Sequence, residues 1–211
     1  RLIQQEILVM RQIKSFIRAG QGLESGSEKY IVQLYEILED LKQNAIVLVE
    51  EYVPGGDLLS LVQEGRIPLD TVRLYFKQMC LGTRLLHCAG VAHRDIKLEN
   101  VLIDRERQVC KIADFGYAGI MFRLDEQGRR LNKTKKTFSD LAGTFCYLSP
   151  EQQQAMIYEG NYDGELVDVW NLGCVLYMML TGSSPFEPDY DSDEEGNRDE
   201  EEDSALIRDN I

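Results

Sequence analysis

His93-Arg94-Asp95-Ile96-Lys97-Leu98-Glu99-Asn100, with Asp114-Phe115-Gly116 beginning nineteen residues after Asp95, is the stretch on which the reading of this chain turns. Eight residues bring together a carboxylate able to accept a proton (Asp95), two cations (Arg94, Lys97) and an amide oxygen donor (Asn100). Asp114 adds a second hard oxygen donor of the kind that binds hard cations. Each motif is weak on its own, because Asp-Phe-Gly arises by chance and a lone His-Arg-Asp is more often a surface loop. Their order and spacing carry the weight.

The pattern around this stretch sets it between defined elements. Upstream, a helix starting near Asp70 buries Val72, Phe76, Met79, Thr83 and Leu86 and ends before Gly90. Downstream, Val101–Ile103 and Val109–Ile112 are short apolar runs separated by charged turn residues, a small hairpin that leads straight into Asp114. Further out, Ile3, Ile7, Met10, Ile13 and Ile17 recur at spacings of three and four, so residues 1 to about 18 form an amphipathic helix with Glu6 flanking its stripe. Residues 19–29 form a loop, residues 30–38 and 45–49 read as strands, and Pro54-Gly55-Gly56 breaks the chain. Tyr117 to Ala142 is too long and aperiodic for an ordinary connection, which marks a functional or mobile segment. Leu166 to Leu180 is nearly continuous in apolar residues but contains Asp168 and Asn171. It is also shorter than the roughly 20 residues of a membrane span, so it reads as a buried helix.

Length and composition bound the function. The 211 residues, 44% hydrophobic, suffice for one core or two small lobes. Five cysteines without C-x-x-C spacing or a histidine cluster argue against a zinc site or a disulfide framework, and point to a reducing compartment. The net charge is −13, but Glu187 to Asp203 holds eleven acidic residues against Arg198 and so carries −10 of it. That run is expected to be a solvated, disordered insert. Nucleic-acid binding, which needs clustered Lys and Arg, has no electrostatic support. No secretory leader and no membrane segment are seen.

The loop fits the pattern H-R-D-L-x-x-x-N with Ile96 for Leu. The order then continues through Gly143-Thr144-Phe145-Cys146-Tyr147-Leu148-Ser149-Pro150-Glu151 and Asp168-Val169-Trp170-Asn171-Leu172-Gly173. On these four ordered motifs the chain resembles the eukaryotic protein-kinase family over roughly Glu6 to Phe186. The resemblance implies an α+β, bilobal fold: residues 1–50 a remnant of the small lobe (a helix plus strands), 51–57 a hinge, and 58–186 a mostly helical large lobe with catalytic and activation loops. It further makes 187–203 an acidic insert and 204–211 the start of another large-lobe segment, with the last helices lacking. The family's phosphate-covering strands fall before residue 1, so the isolated chain is expected to be inactive and poorly stable, with Glu151 short of its arginine partner.

The same resemblance implies ATP and Mg2+ as cofactors and a protein serine or threonine as substrate, in the cytoplasm or nucleus. In phosphoryl transfer the protein mainly aligns a hydroxyl and neutralises spreading charge. Asp95 then accepts the hydroxyl proton, Lys97 offsets phosphate charge, and Asn100 and Asp114 ligate magnesium. Glu6 takes the place of the glutamate that pairs with the ATP-binding lysine. Glu51 and Val53 fall where hinge backbone meets adenine, Leu102 under the base, and Asp57 where an acid meets ribose or substrate. Asp57 and Glu99 could also read a basic residue before the phosphosite, although Met178 replaces a further acid common in basophilic relatives. Met10, Leu34, His93 and Phe115 match the apolar column linking the lobes, and Asp168 matches the aspartate at its base. Glu50 stands at the usually apolar gatekeeper position, where a carboxylate is costly unless paired or solvated.

Lys97 and Thr144 match the serine/threonine branch. Val53-Pro54-Gly55-Gly56-Asp57-Leu58 most resembles the calcium/calmodulin-dependent, energy-sensing and cyclic-nucleotide-dependent kinases. Arg94 beside Asp95 marks kinases whose activation segment docks a phosphate on that arginine. The usual phosphosite aligns with Asp140, a fixed charge that could partly replace it, and Ser139 and Thr137 are alternative sites for an upstream kinase. A pseudokinase or scaffold, or an inactive fragment of an active kinase, remains an alternative, because the ATP-binding lysine and glycine-rich loop are unseen. A small-molecule phosphotransferase would lack the Ser-Pro-Glu and Asp-Val-Trp landmarks. The sequence does not specify an oligomeric state.

Overall fold

A computed structural model describes residues 2–20, 26–40, 45–132 and 134–186. The expected insert 187–203 and the segment 204–211 lie outside the described residues. Helix α1 (Leu2–Ala19) buries Val9, Met10, Ile13 and Phe16, one continuous face at helical spacing. Ile3, expected on that stripe, is 38% exposed.

A left-handed Gly26 turns the chain into a short 3-10 turn at Ser27–Tyr30. Strand β1 therefore begins at Leu34 and not at Tyr30: Leu34–Asp40 pairs antiparallel with β2 (Ala45–Glu50), with an irregularity between Leu34 and Glu36. These strands and α1 form the small lobe. Val32 N–H donates to Ile112 O at 2.9 Å, which stitches the lobe to the hairpin below it.

The helical lobe opens with α2 (Leu58–Gln63), capped by Asp57, whose Oδ1 accepts from the N–H and the hydroxyl of Ser60, both at 2.7 Å. Helix α3 (Leu69–Cys88) runs through the core. It buries Val72, Met79, Thr83 and Leu86 as expected, but Tyr75 takes the buried place that the sequence reading assigned to Phe76, which is half-buried. A two-residue strand β3 (Val91–Ala92) follows, then the hairpin β4 (Val101–Asp104) and β5 (Val109–Ile112), in register from Val101↔Ile112 to Asp104↔Val109. The polar side chain of Gln78 holds that hairpin onto α3: its Oε1 accepts from Cys110 N–H at 2.7 Å and its Nε2 donates to Gln108 O at 2.9 Å.

Beyond Asp114, β6 (Gly119–Ile120) pairs antiparallel with β3. Helix α4 (Pro150–Tyr158) starts from a capping box between Ser149 and Gln152 with proline at its start. Helix α5 (Gly164–Thr181) is capped by Asp163 and stopped by Gly182 at φ 80°. The expectation of a buried helix holds for one side of α5 only: Val167, Leu172, Val175 and Met179 are buried, whereas Leu166 and Val169 are about 60% exposed. An apolar groove of about 520 Å³ lies between this exposed face and α3.

Candidate active site

The loop from His93 to Asn100 is fixed from below by Asp168, a fully buried carboxylate of α5. Its Oδ1 accepts Arg94 N–H at 2.7 Å, and its Oδ2 accepts His93 N–H at 2.9 Å and His87 Nε2 at 2.7 Å. Two of these charge-assisted hydrogen bonds hold strained loop backbone in place, because Arg94 sits at φ 66°, in the left-handed region that non-glycine residues avoid. Asp114 shares this feature at φ 60°. The ring of His93 lies 5.3 Å from that of Phe115, with Nε2 on Ala113 O at 3.0 Å and Nδ1 facing Asp95 N–H at 3.4 Å. Those partners require the tautomer protonated at Nε2.

Above this base, three side chains close a hydrogen-bonded ring, and Asn100 joins it through Asp95. Lys97 Nζ donates to Thr144 Oγ1 at 2.7 Å, and that hydroxyl donates to Asp95 Oδ1 at 2.9 Å. Lys97 is 3.3 Å from Asp95 Oδ2. Asn100 Nδ2 donates to Asp95 O at 2.9 Å and to its Oδ2 at 3.1 Å. The ring holds Asp95 in one rotamer at the mouth of a buried loop. It also commits the amide nitrogen of Asn100, so the group left to face outward is its oxygen. Ala113 N–H donates to Asn100 O at 2.8 Å, which brings Asp114 beside the ring, and Asp114 Oδ1 accepts Gly116 N–H at 3.1 Å.

Asp114 is exposed and faces a concentration of negative charge. The pKa of Glu6 is raised first by burial and then by the charges of Asp114 and Glu50, and that of Glu50 by burial and then by Asp114. A hard cation placed here would offset this repulsion. Among the described residues no cluster of three metal-ligating side chains forms a complete cage. An amide oxygen plus one carboxylate suits a magnesium ion that completes its shell with water and substrate phosphates.

Residues 51–57 run against the β4–β5 hairpin that follows Asn100. Val53 is buried, and Leu102 on β4 is half-buried and bridges in antiparallel fashion to Asp57. Gly55 N–H donates to Ile103 O at 2.8 Å. A Cβ at Gly55 would stand 2.3 Å from that same oxygen, so only glycine permits the approach. The Glu51 carboxylate turns to Lys111 Nζ at 2.9 Å and to Gln33 N–H at 3.3 Å. Asp57 spends its Oδ1 on the α2 cap, and those hydrogen bonds to Ser60 lower its pKa. Glu99 is exposed beside the ring. Met10, Leu34 and Phe115 share one buried cluster, which continues the stack that starts at His93.

Sequence reasoning did not single out Tyr162. Its hydroxyl accepts from Arg94 Nη1 at 3.0 Å and donates to Asp140 O at 2.9 Å. Arg94 Nη1 also pairs with Asp140 Oδ1 at 2.7 Å, its Nε donates to Tyr117 O at 2.9 Å, and its guanidinium lies 4.1 Å above the Phe138 ring. The alignment of Asp140 with a phosphosite docked on Arg94 pointed to their pairing; a lone tyrosine 68 residues after Arg94 leaves no local pattern.

Comparison with known proteins agrees with this geometry. The family model described as the protein kinase domain matches residues 3–210. CBL-interacting serine/threonine-protein kinase 16 of Arabidopsis thaliana is 35% identical over 185 residues, covering 87% of this chain and 35% of that protein. The serine/threonine-protein kinase SIK3 homolog of Danio rerio is 36% identical over 177 residues, covering 83% of this chain and 13% of its own. CBL-interacting protein kinase 10 of Oryza sativa subsp. japonica is 38% identical over 157 residues, or 74% and 32% of the two chains. The chain spans about a third or less of the length of these relatives. With the family model covering nearly its whole length and serine/threonine kinases as its relatives, the chain belongs to the protein kinase domain family.

Proposed function

We propose that the protein of which this chain is part transfers the γ-phosphoryl group of ATP to a protein serine or threonine. The observation that carries this reading is the ring of Asp95, Lys97 and Thr144, joined by Asn100 through Asp95, which fixes one carboxylate near Asp114. The substrate hydroxyl oxygen forms a bond to the γ-phosphorus as the bond from that phosphorus to the β,γ-bridging oxygen breaks. Asp95 accepts the hydroxyl proton, and ADP leaves with the electron pair. Lys97 neutralises charge on the transferring group, and Thr144 holds Lys97 and Asp95 in mutual register. Asn100 and Asp114 would hold magnesium, which when bound offsets phosphate charge and orients the nucleotide.

Glu51 and Val53 present hinge backbone to adenine, with residues 51–57 as the hinge and 58–186 as the large lobe. Leu102 packs under the base. Asp57 Oδ2, not used in the α2 cap, is available to a ribose hydroxyl or, with Glu99, to a basic substrate residue. Glu6 receives the ATP-binding lysine in the whole protein. Ser139 and Thr137, both exposed, are the sites open to an upstream kinase.

The test is phosphate transfer by the full-length protein to serine, threonine and tyrosine peptides, with and without Mg2+. Magnesium-dependent labelling of serine and threonine peptides is expected, with Asp95→Asn lowering kcat at least about a hundredfold, as loss of a general base does. Undiminished transfer by Asp95→Asn overturns the reading. ATP binding without any transfer would favour the scaffold alternative.

A further inference from the structure

Gln12 sits on the half-buried flank of α1, and its amide nitrogen is held by two carbonyls outside the small lobe: Ala89 O at 2.7 Å and Phe122 O at 2.9 Å. Both amide protons are spent. An oxygen in that place would face two acceptors, so the site calls for a double donor. The two carbonyls belong to one backbone crossing. Met121 N–H donates to Gly90 O at 2.7 Å, and Gly90, at φ 75°, passes so close that a Cβ there would stand 2.5 Å from Phe122 O. One strand of the crossing runs through β3 into His93; the other comes from Asp114 through β6.

Gln12 lies six residues from Glu6 on the same helix, about 9 Å along its axis. Apolar packing of Met10 and Ile13 is non-directional and lets a helix roll or slide at small cost. Two directional hydrogen bonds to a fixed backbone crossing do not. We propose that Gln12 is a positioning residue: it locks the rotation and height of α1 to the start of the activation segment, so that Glu6 stays beside Asp114. This rests on the kinase reading above. A helix released from the crossing populates the catalytically competent arrangement for a smaller fraction of the time, and kcat falls by that fraction while the peptide KM does not change.

Three variants of the full-length protein separate this from general stability. Gln12→Leu fills the same space with no donor, Gln12→Glu replaces the donor by an acceptor facing two carbonyls, and Gln12→Lys restores donors on a long side chain. The expected result, well below the melting temperature, is kcat reduced for Leu and Glu by up to about fivefold, the limit set by losing about 1 kcal/mol from the equilibrium, with Lys close to wild type. Unchanged kcat in Gln12→Leu, or a loss in Gln12→Lys as deep as in Gln12→Leu, overturns the proposal. If the unsubstituted protein transfers no phosphate, the enzymatic reading has failed and the coupling is read by amide hydrogen exchange. Gln12→Leu then exposes α1 and residues 119–122 together, and unchanged protection of both overturns the coupling.

Discussion

Arg94 shows how a single residue joins two layers of the site. Its N–H is held by Asp168, its guanidinium by Asp140 and Tyr162, and its backbone leads directly into Asp95. Burial works against the charge of Asp140, but the hydrogen bond and charge of Arg94 more than offset it and the pKa of Asp140 is lowered. A group with a depressed pKa keeps its contribution above its unfolded value and loses it only as pH falls through the folded one. The Arg94–Asp140 pair should therefore persist unchanged from pH 8 down to below pH 5, whereas a phosphate, with its second ionisation near 6, would change charge inside that range. Asp140→Ala is expected to lower kcat several-fold with no new pH dependence, and Asp140→Glu to retain most activity. Undiminished activity in Asp140→Ala would eliminate the idea that a fixed charge stands in for a phosphate.

Cysteine chemistry divides on the same scale. Burial pushes the Cys110 thiol up to about 12 and the Cys174 thiol up to about 11, so neither offers thiolate at neutral pH, while Cys88 is exposed at the end of α3. Iodoacetamide at pH 7.5 is expected to label Cys88 in the folded protein and to leave Cys110 and Cys174 untouched until it is unfolded. Peptide mapping by mass spectrometry reads this directly.

Among the elements, the hairpin β4–β5 presents the clearest case of a polar device holding catalytic geometry. Asn100 precedes it and Asp114 follows it, side by side at its open end, and Gln78 supplies two of the side-chain hydrogen bonds between it and α3, beside that of Cys110 Sγ to Tyr75 O. Gln78→Ala orphans a buried N–H at Cys110 and a carbonyl at Gln108 and should cost about 2–3 kcal/mol. Gln78→Glu keeps the acceptor for Cys110 N–H but turns an acceptor onto Gln108 O, and should fall between. Urea denaturation with equal m values would measure both.

The hairpin, α1, α3 and the catalytic loop were legible because periodicity or motif spacing marks them locally. What the sequence hid depends on distant partners. The first strand starts at Leu34 because Gly26 adopts a left-handed conformation and Ser27–Tyr30 coil tightly, a competition that β-propensity at Tyr30 and Ile31 does not reveal. The run Leu166–Leu180 is apolar on every side, so hydropathy alone could not say that Leu166 and Val169 face outward. The two-residue strands β3 and β6 leave no periodic trace at all.

At the scale of the whole molecule, buried apolar side chains among the described residues form three clusters, of which one spans the lobes. Val9, Met10, Ile13 and Leu34 from the small lobe meet Leu85, Leu86, Ile112 and Phe115 from the helical lobe. The larger cluster around Met79, Ile96, Val175 and Met179 lies within the helical lobe, and the third packs Met121 and Phe138 of the 117–142 segment against Tyr162 and Val167. Phe115 is 1% exposed and is the largest side chain in the spanning cluster. The coupling of the lobes is thus concentrated on the residue that follows Asp114. Phe115→Ala should cost about 3–5 kcal/mol through lost contacts and a residual cavity. Because the other two clusters contain no small-lobe residue, that cost should fall unevenly. Amide exchange is expected to speed up first in α1 and in β1–β2, with α3 and α5 protected until global unfolding. Phe115→Leu, which conserves most of the volume, should restore coupling to within about 1.5 kcal/mol. Loss of protection in α5 at the same rate as in α1 would instead mean that the lobes unfold as one unit and that the apolar column does not form the boundary between them.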